Sequence, residues 1–212
     1  MIVGGIVLPQ TVCAEDVTES ELYARAAVLM DGDSGRVLYS KNGLEPLANA
    51  STTKILTCII ALENCDLEQT VEFSARAASA PKVHLGAAAG KKFRMKDLIS
   101  AMMLESFNDC AVAIAEQIGG SVEAFSGLMN DYARQIGCTD SYFLTPNGLD
   151  AEDGNGYHHT TANDLALIMR YCIRQSPKAD LFLGITAEAE HSFSDLDGTM
   201  TYHCYNHNAF LN

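Results

Sequence analysis

The segment Ser51-Thr52-Thr53-Lys54 sets a hydroxyl and an amine three residues apart. On a helix that spacing puts both groups on one face, where they can touch. A serine hydroxyl becomes a useful nucleophile only when a neighbouring base takes its proton, and a lysine is such a base only when neutral. An exposed lysine titrates near ~10.4, so work near neutral pH requires burial and nearby positive potential to lower it by about 3 pH units, or roughly 4 kcal/mol. The sequence offers both. The run Lys54-Ile55-Leu56-Thr57-Cys58-Ile59-Ile60-Ala61-Leu62-Glu63 is apolar on nearly every side and predicts a buried helix. Its N-terminal end carries partial positive charge, which also favours an alkoxide at Ser51. Ser-x-x-Lys arises by chance about once in a chain of this length. A lysine on a solvated helix end costs nothing, whereas one facing into a buried helix must be paired or used.

Ser106-Phe107-Asn108 is the second element. Residues two apart can converge on one side of a turn, where a hydroxyl relays a proton to a leaving amine and an amide holds a substrate carbonyl or the lysine. The plainer alternative is that Ser106 N-caps a helix beginning near Phe107, with Asp109 completing a capping box. The histidines offer less. His158 and His159 are adjacent and His203 and His207 stand among polar residues, which predicts surface or loop positions and no metal site. Neither a glycine-rich phosphate loop nor H-E-x-x-H occurs.

The elements that must position these groups can be read from periodicity. Ala26 to Ser40, with Asp31-Gly32-Asp33-Ser34-Gly35 at its middle, predicts strand, turn, strand. Residues 64–94 predict loops and short strands. Helical stripes follow over Lys96–Leu104, Ala111–Ile118 and Ser121–Ile136, the last with Gly137 beyond its end. Thr145-Pro146-Asn147-Gly148 is a turn, and Thr161 with Asp164 opens a further helix through Leu165, Ile168, Met169 and Cys172. The expected order is two strands, then four or five helices.

The chain has 212 residues, 48% of them apolar, which suits one domain with a sizeable core. A formal charge of −13 disfavours nucleic acid and anionic lipid as partners. Residues 1–14 carry no charge, and Val12-Cys13-Ala14 fits a signal-peptidase site, so this stretch reads as the remnant of an export signal. A buried first strand or a cloning remnant is the alternative. Seven cysteines without a C-x-x-C pair argue against a zinc ribbon or redox site, and those at apolar helical positions predict buried free thiols over a disulfide framework.

Taken in order, these stretches resemble the serine D-alanyl-D-alanine carboxypeptidases, the low-molecular-mass penicillin-binding proteins. The likeness is carried by Ala50-Ser51-Thr52-Thr53-Lys54-Ile55-Leu56-Thr57 and by Met102-Met103-Leu104-Glu105-Ser106-Phe107-Asn108-Asp109. It continues through Phe143-Leu144-Thr145-Pro146-Asn147-Gly148-Leu149 and Thr160-Thr161-Ala162-Asn163-Asp164-Leu165-Ala166, with Arg25–Asn42 as the opening hairpin. The resemblance implies an α/β (α+β) fold of the β-lactamase and DD-peptidase type, a sheet covered by helices with a helical subdomain. It implies Ser51 as nucleophile, Lys54 as its base, Ser106 as proton relay and Asn108 as a substrate-orienting amide. It further implies peptidoglycan stem peptides as substrates, β-lactams as acylating ligands, no cofactor, and a place outside the cytoplasm.

One departure bears on this. The family's Lys-Thr-Gly motif, which lies on a central strand, does not occur here. The reading is therefore a signal remnant over 1–14 and an incomplete catalytic domain over 15–212. The opening hairpin is expected to have an open edge and an uncovered apolar face. A complementing polypeptide or swapped partner would supply the missing strands, and the chain alone is expected to be weak or inactive. Two alternatives remain: a non-catalytic penicillin-binding or assembly fragment, and a serine β-lactamase, against which stands the absence of a Glu-x-x-Leu-Asn stretch.

Overall fold

The long apolar run after Ser51 forms a helix at the centre of the molecule, with Leu56, Cys58, Ile59, Ile60, Ala61 and Leu62 all buried. The computed structural model describes residues 22–209; the export-signal reading of residues 1–14, and Cys13, lie outside them. In chain order the first elements are β1 (Ala27–Met30), β2 (Val37–Lys41), α1 (Thr53–Asn64), β3 (Thr70–Glu72), α2 (Ala75–Ala78) and β4 (Lys92–Arg94). Then come α3 (Met95–Glu105), α4 (Asn108–Gly119), α5 (Val122–Ile136), β5 (Glu152–Asp153), β6 (Gly156–Tyr157) and α6 (Ala162–Arg170), the last running into a π-helical turn, Tyr171–Gln175. α7 (Ala179–Thr186), β7 (Glu190–Ser194) and β8 (Thr201–Tyr205) complete the described chain. A helix apolar on every side must be surrounded, and α3, α4, α5, α6 and α7 all pack on α1.

Side-chain caps fix where several helices begin. The hydroxyls of Ser121 and Thr161 accept the N–H groups of Ala124 and Asp164, opening α5 and α6 as their sequences predict. The strands form four antiparallel pairs, β1–β2, β3–β4, β5–β6 and β7–β8. Among the described residues β1 and β2 pair only with each other; α6 packs on β1, and Leu29, Val37 and Leu38 stand exposed. The six cysteines from Cys58 to Cys204 are free thiols, and all but Cys65 are buried, as expected.

The expected order of two strands and then helices falls short in the C-terminal part, where α7 and the β7–β8 hairpin follow α6. This hairpin presents His191, Ser192, Ser194, Thr201 and His203, and only Phe193 and Cys204 of its strands are fully buried, so alternation is nearly invisible in the sequence. Polar pairs hold it instead: Ser192 with His203 at 2.9 Å and Ser194 with Thr201 at 2.9 Å. At its turn the buried Asp195 accepts Lys91 Nζ at 2.7 Å and the Thr199 and Met200 N–H groups.

An aromatic cluster joins this hairpin to the rest. Phe93 on β4 meets Phe73, Phe193 and Tyr202 edge-on at centroid distances of 5.1, 6.0 and 5.7 Å. Because Phe93 is fully buried, its removal opens a cavity among rings that cannot close it. Phe93→Ala is expected to destabilise the fold by about 3–5 kcal/mol, read as a shift in the urea midpoint. A cost under about 1 kcal/mol would show that the cluster does not join the hairpin to the core.

Candidate active site

Ser51 lies in a single 3-10 turn (Ala50–Thr52) that runs directly into α1, so its side chain is exposed while Lys54, one turn on, is buried with 3% of its surface accessible. Lys54 Nζ makes three hydrogen bonds: to Ser51 Oγ at 3.0 Å, Asn108 Oδ1 at 2.9 Å and the Asn147 main-chain carbonyl at 2.8 Å. An ammonium has three hydrogens, so all of them are used. When Lys54 is neutral its two remaining N–H bonds can stay on Asn108 and Asn147, whose oxygens only accept. The lone pair then faces the Ser51 hydroxyl. This is the geometry that proton abstraction requires.

Burial lowers the Lys54 pKa from 10.5 to about 8, because removing the ammonium from water penalises its charged form. The expected direction of tuning is thus present. A measurable fraction of the amine is neutral near pH 7, where an exposed lysine would be almost entirely charged.

Asn108 is oriented without ambiguity. Its Nδ2 donates to the Pro81 carbonyl at 3.1 Å, and since a carbonyl cannot donate, Oδ1 must be the atom that faces Lys54. Both ends of the amide are therefore engaged, and of the two tasks open to it, holding the lysine is the one this geometry displays. Its own N–H, at the start of α4 where the helix offers no acceptor, donates to the Val83 carbonyl at 2.8 Å.

Ser106 is not a helix N-cap. It ends α3 in the left-handed region with φ 63°, and Phe107 takes the cap position of α4 without a side-chain hydrogen bond. The break between α3 and α4 keeps Ser106 two residues from Asn108, half-buried at the junction. His158 is likewise not a surface residue: it is 2% exposed, and burial holds its pKa down to about 4.

Sequence reasoning recovers Ser51, Lys54 and Asn108 as one constellation but misses the groups that hold it. The Asn147 carbonyl is main chain, and the Thr145–Gly148 turn reads in the sequence only as a turn. Thr57 Oγ1 donates to the neighbouring Pro146 carbonyl at 2.7 Å, so two successive carbonyls of this turn are tied to α1. Gly148 has φ 84°, and a Cβ there would lie 1.7 Å from the Ala50 carbonyl oxygen, so only glycine lets the turn rest against the residue preceding Ser51. A cavity of about 310 Å³ lined by Pro81, Val112, Thr145, Pro146 and Asn147 adjoins the cluster.

A family model described as D-alanyl-D-alanine carboxypeptidase, peptidase S11, matches residues 13–212. The chain is 35% identical over 156 residues to D-alanyl-D-alanine carboxypeptidase DacF of Bacillus subtilis, an overlap of 71% of this chain and 39% of that protein. It is 32% identical over 200 residues to D-alanyl-D-alanine carboxypeptidase DacC of Escherichia coli, covering 89% of this chain and 48% of that one. Its fold is similar to the crystal structure of penicillin-binding protein 5 from Haemophilus influenzae, with a TM-score of 0.76 and 29% identity over 92% of this chain and 56% of that one. The chain thus spans roughly half the length of the curated relatives it matches.

The lowered Lys54 pKa has a consequence for stability. Below pH 8 the amine is protonated in both folded and unfolded chains, and the folded state bears the full desolvation cost; between about 8 and 10.5 only the unfolded chain keeps the proton, so Lys54's contribution becomes more favourable as pH rises. Relative to Lys54→Met, which cannot titrate, the wild type is expected to gain roughly 3 kcal/mol across that window. Denaturation of both proteins at pH 7.5 and 10.5 measures this difference, since the buried cysteines, whose pKa values are raised, affect both alike. An unchanged difference would mean that Lys54 is solvated.

Proposed function

Since the chain belongs to the peptidase S11 family, the D-alanyl-D-alanine carboxypeptidases, we propose that it carries the serine acylation centre of a penicillin-sensitive carboxypeptidase that trims peptidoglycan stem peptides outside the cytoplasm. The observation that supports this most directly is the buried Lys54 amine held 3.0 Å from the exposed Ser51 hydroxyl by two oxygens that can only accept.

In this reading neutral Lys54 takes the Ser51 proton as Oγ attacks the carbonyl carbon between the two terminal D-alanines. The tetrahedral centre collapses, the C–N bond breaks, and the departing amine of D-alanine receives the proton that Lys54 took, relayed through the Ser106 hydroxyl, which leaves the lysine neutral again. An ester on Ser51 remains. Water then attacks that ester, gives a proton to Lys54, and Ser51 leaves with a proton restored to its oxygen. Asn108 keeps the lysine aligned through the cycle. A penicillin reacts at the same atom by opening its strained amide, and the ester persists because the leaving amine stays tethered to it.

Residues 15–212 are on this proposal the part of the peptidase domain that bears nucleophile, base and relay. The Lys-Thr-Gly segment that the family resemblance assigns to the substrate carboxylate and one oxyanion N–H is not among these residues. Loss of one oxyanion donor typically slows acylation by about 10²–10³-fold, so the chain by itself is expected to acylate slowly.

Incubation with benzylpenicillin followed by intact-mass analysis is expected to show one adduct, accumulating slowly on the wild-type chain and not at all on Ser51→Ala. Failure of the folded wild type to acquire any adduct, or an adduct of equal yield on Ser51→Ala, would overturn the assignment. An adduct without release of D-alanine from a D-Ala-D-Ala peptide would favour the penicillin-binding but non-catalytic alternative for this chain.

A further inference from the structure

His158 stands between the two segments that hold Lys54. It is buried, and its ring packs edge-on against Phe143 with centroids 5.6 Å apart. Its Nδ1 accepts the Leu144 N–H at 2.9 Å and the Thr145 N–H at 3.3 Å. A backbone N–H can only donate, so Nδ1 must carry the lone pair and the ring proton must sit on Nε2. That proton is directed at Thr53 Oγ1, 2.9 Å away, on the first residue of α1. Thr53 Oγ1 is also 2.7 Å from Asn49 Nδ2, in the chain leading to Ser51. The imidazole thus joins the start of the Leu144–Gly148 turn to the residue that lies between Ser51 and Lys54.

We propose that His158 is a positioning residue: as a neutral imidazole it clamps the turn carrying the Asn147 carbonyl onto the start of α1, and so fixes the Lys54 amine against Ser51. This rests on the acylation reading above. The turn's other ties reinforce the argument. Thr57 and Lys54 hold its Pro146 and Asn147 carbonyls from α1, while its N–H groups at Leu144 and Thr145 go to His158. Without His158 these donors have no equivalent acceptor, and the turn is held along one side only. A protonated ring would aim an Nδ1–H at both N–H groups and push the turn away. Burial opposes that protonation, and of the charged groups near the ring, His159 opposes it further while Asp150 favours it.

A buried histidine that merely fills the core would, when replaced, lower stability and leave Lys54 untouched. The clamp makes a different demand. The Asn147 carbonyl stabilises the ammonium, so releasing it must lower the Lys54 pKa further even as the alignment with Ser51 is lost. The test follows the Lys54 ¹³Cε resonance through a pH titration in ¹³C-lysine-labelled chain, assigned by its absence in Lys54→Met, alongside the rate of benzylpenicillin adduct formation. The variants are His158→Ala, His158→Gln, which can still donate to Thr53, and His158→Asn, whose Oδ1 can still accept from Leu144 and Thr145.

In His158→Ala and His158→Gln the Lys54 midpoint is expected to fall by about half a pH unit or more, with adduct formation slowed by about 10-fold or more. His158→Asn is expected to recover much of both. A Lys54 midpoint within about 0.2 pH units of wild type in folded His158→Ala or His158→Gln overturns the proposal, whatever the loss of melting temperature. If His158→Ala does not fold, His158→Gln against His158→Asn decides: equal Lys54 midpoints overturn the clamp. The titration needs no turnover, so absence of any adduct on wild type would defeat the acylation reading while leaving the positioning claim separately measurable.

Discussion

Lys54 is buried with as many acceptors as an ammonium has hydrogens, and each acceptor comes from a different part of the chain. Ser51 lies one turn away, Asn108 54 residues away, and Asn147 93 residues away. An unpaired charge in such a place would cost several kcal/mol, so the fold must deliver all three oxygens or lose the charge. Two acceptors are fixed oxygens and the third is a hydroxyl that can also donate. Proton loss therefore changes only one of the three contacts in kind. The amine can switch between acid and base without its neighbours having to move.

The oxygens that hold Lys54 are themselves held. The interruption between α3 and α4 exposes the first N–H groups of α4, which have no acceptor within the helix. The Val83 carbonyl takes the one at Asn108, and the Asp109 carboxylate takes the one at Cys110. Asp109 also accepts the Leu85 and Gly86 N–H groups at 2.8 and 2.9 Å. The segment whose Pro81 carbonyl orients the Asn108 amide is thus fastened by the residue next to Asn108. An acid at the start of a helix is also favoured by the helix dipole. Asp109 serves that local role and anchors the loop over the site with the same two oxygens.

How much of this was legible in the sequence follows from which atoms carry the information. Ser51, Lys54 and Asn108 act through side chains, and the all-round apolar run after Lys54 marks a buried helix, so that half of the site could be found by type and spacing. The helix caps at Ser121 and Thr161 were readable for the same reason. The Asn147, Pro81 and Val83 carbonyls could not be found, because every residue has one and only the tertiary path aims it. His158 was misplaced because a histidine beside another histidine in a polar stretch carries no sign of burial; its partners are two backbone N–H groups and Thr53, 105 residues distant. The β7–β8 hairpin was missed because polar cross-strand pairs and one part-buried Lys91–Asp195 contact stabilise it in place of an alternating apolar face. The mixed α/β architecture survived these misses because α1 dictates it: a helix apolar all round requires a shell of other elements whatever their details.

The two ends of α1 show how the same constraint is met in opposite ways. A lysine near the N-terminus and a glutamate near the C-terminus both run against the helix dipole. At the first end the conflict is useful, since anything that disfavours the ammonium favours the neutral base, and burial adds to it. At the other end Glu63 accepts hydroxyls from Tyr132 at 3.0 Å, Tyr171 at 2.9 Å and Ser176 at 2.5 Å. These are neutral donors, so they satisfy the carboxylate without supplying a countercharge, and they come from α5, the π-helical turn and the segment before α7. Burial, and then the hydrogen bond to this carboxylate, draw the Tyr171 phenol up to about 12, so the phenol stays protonated and remains a donor near neutral pH. One end of the helix is therefore anchored by hydroxyls gathered on Glu63, and the other reacts through a charge that is easily given up. Fixing the Glu63 end allows the Lys54 end to be held at hydrogen-bond distance from Ser51 by contacts that leave one direction free.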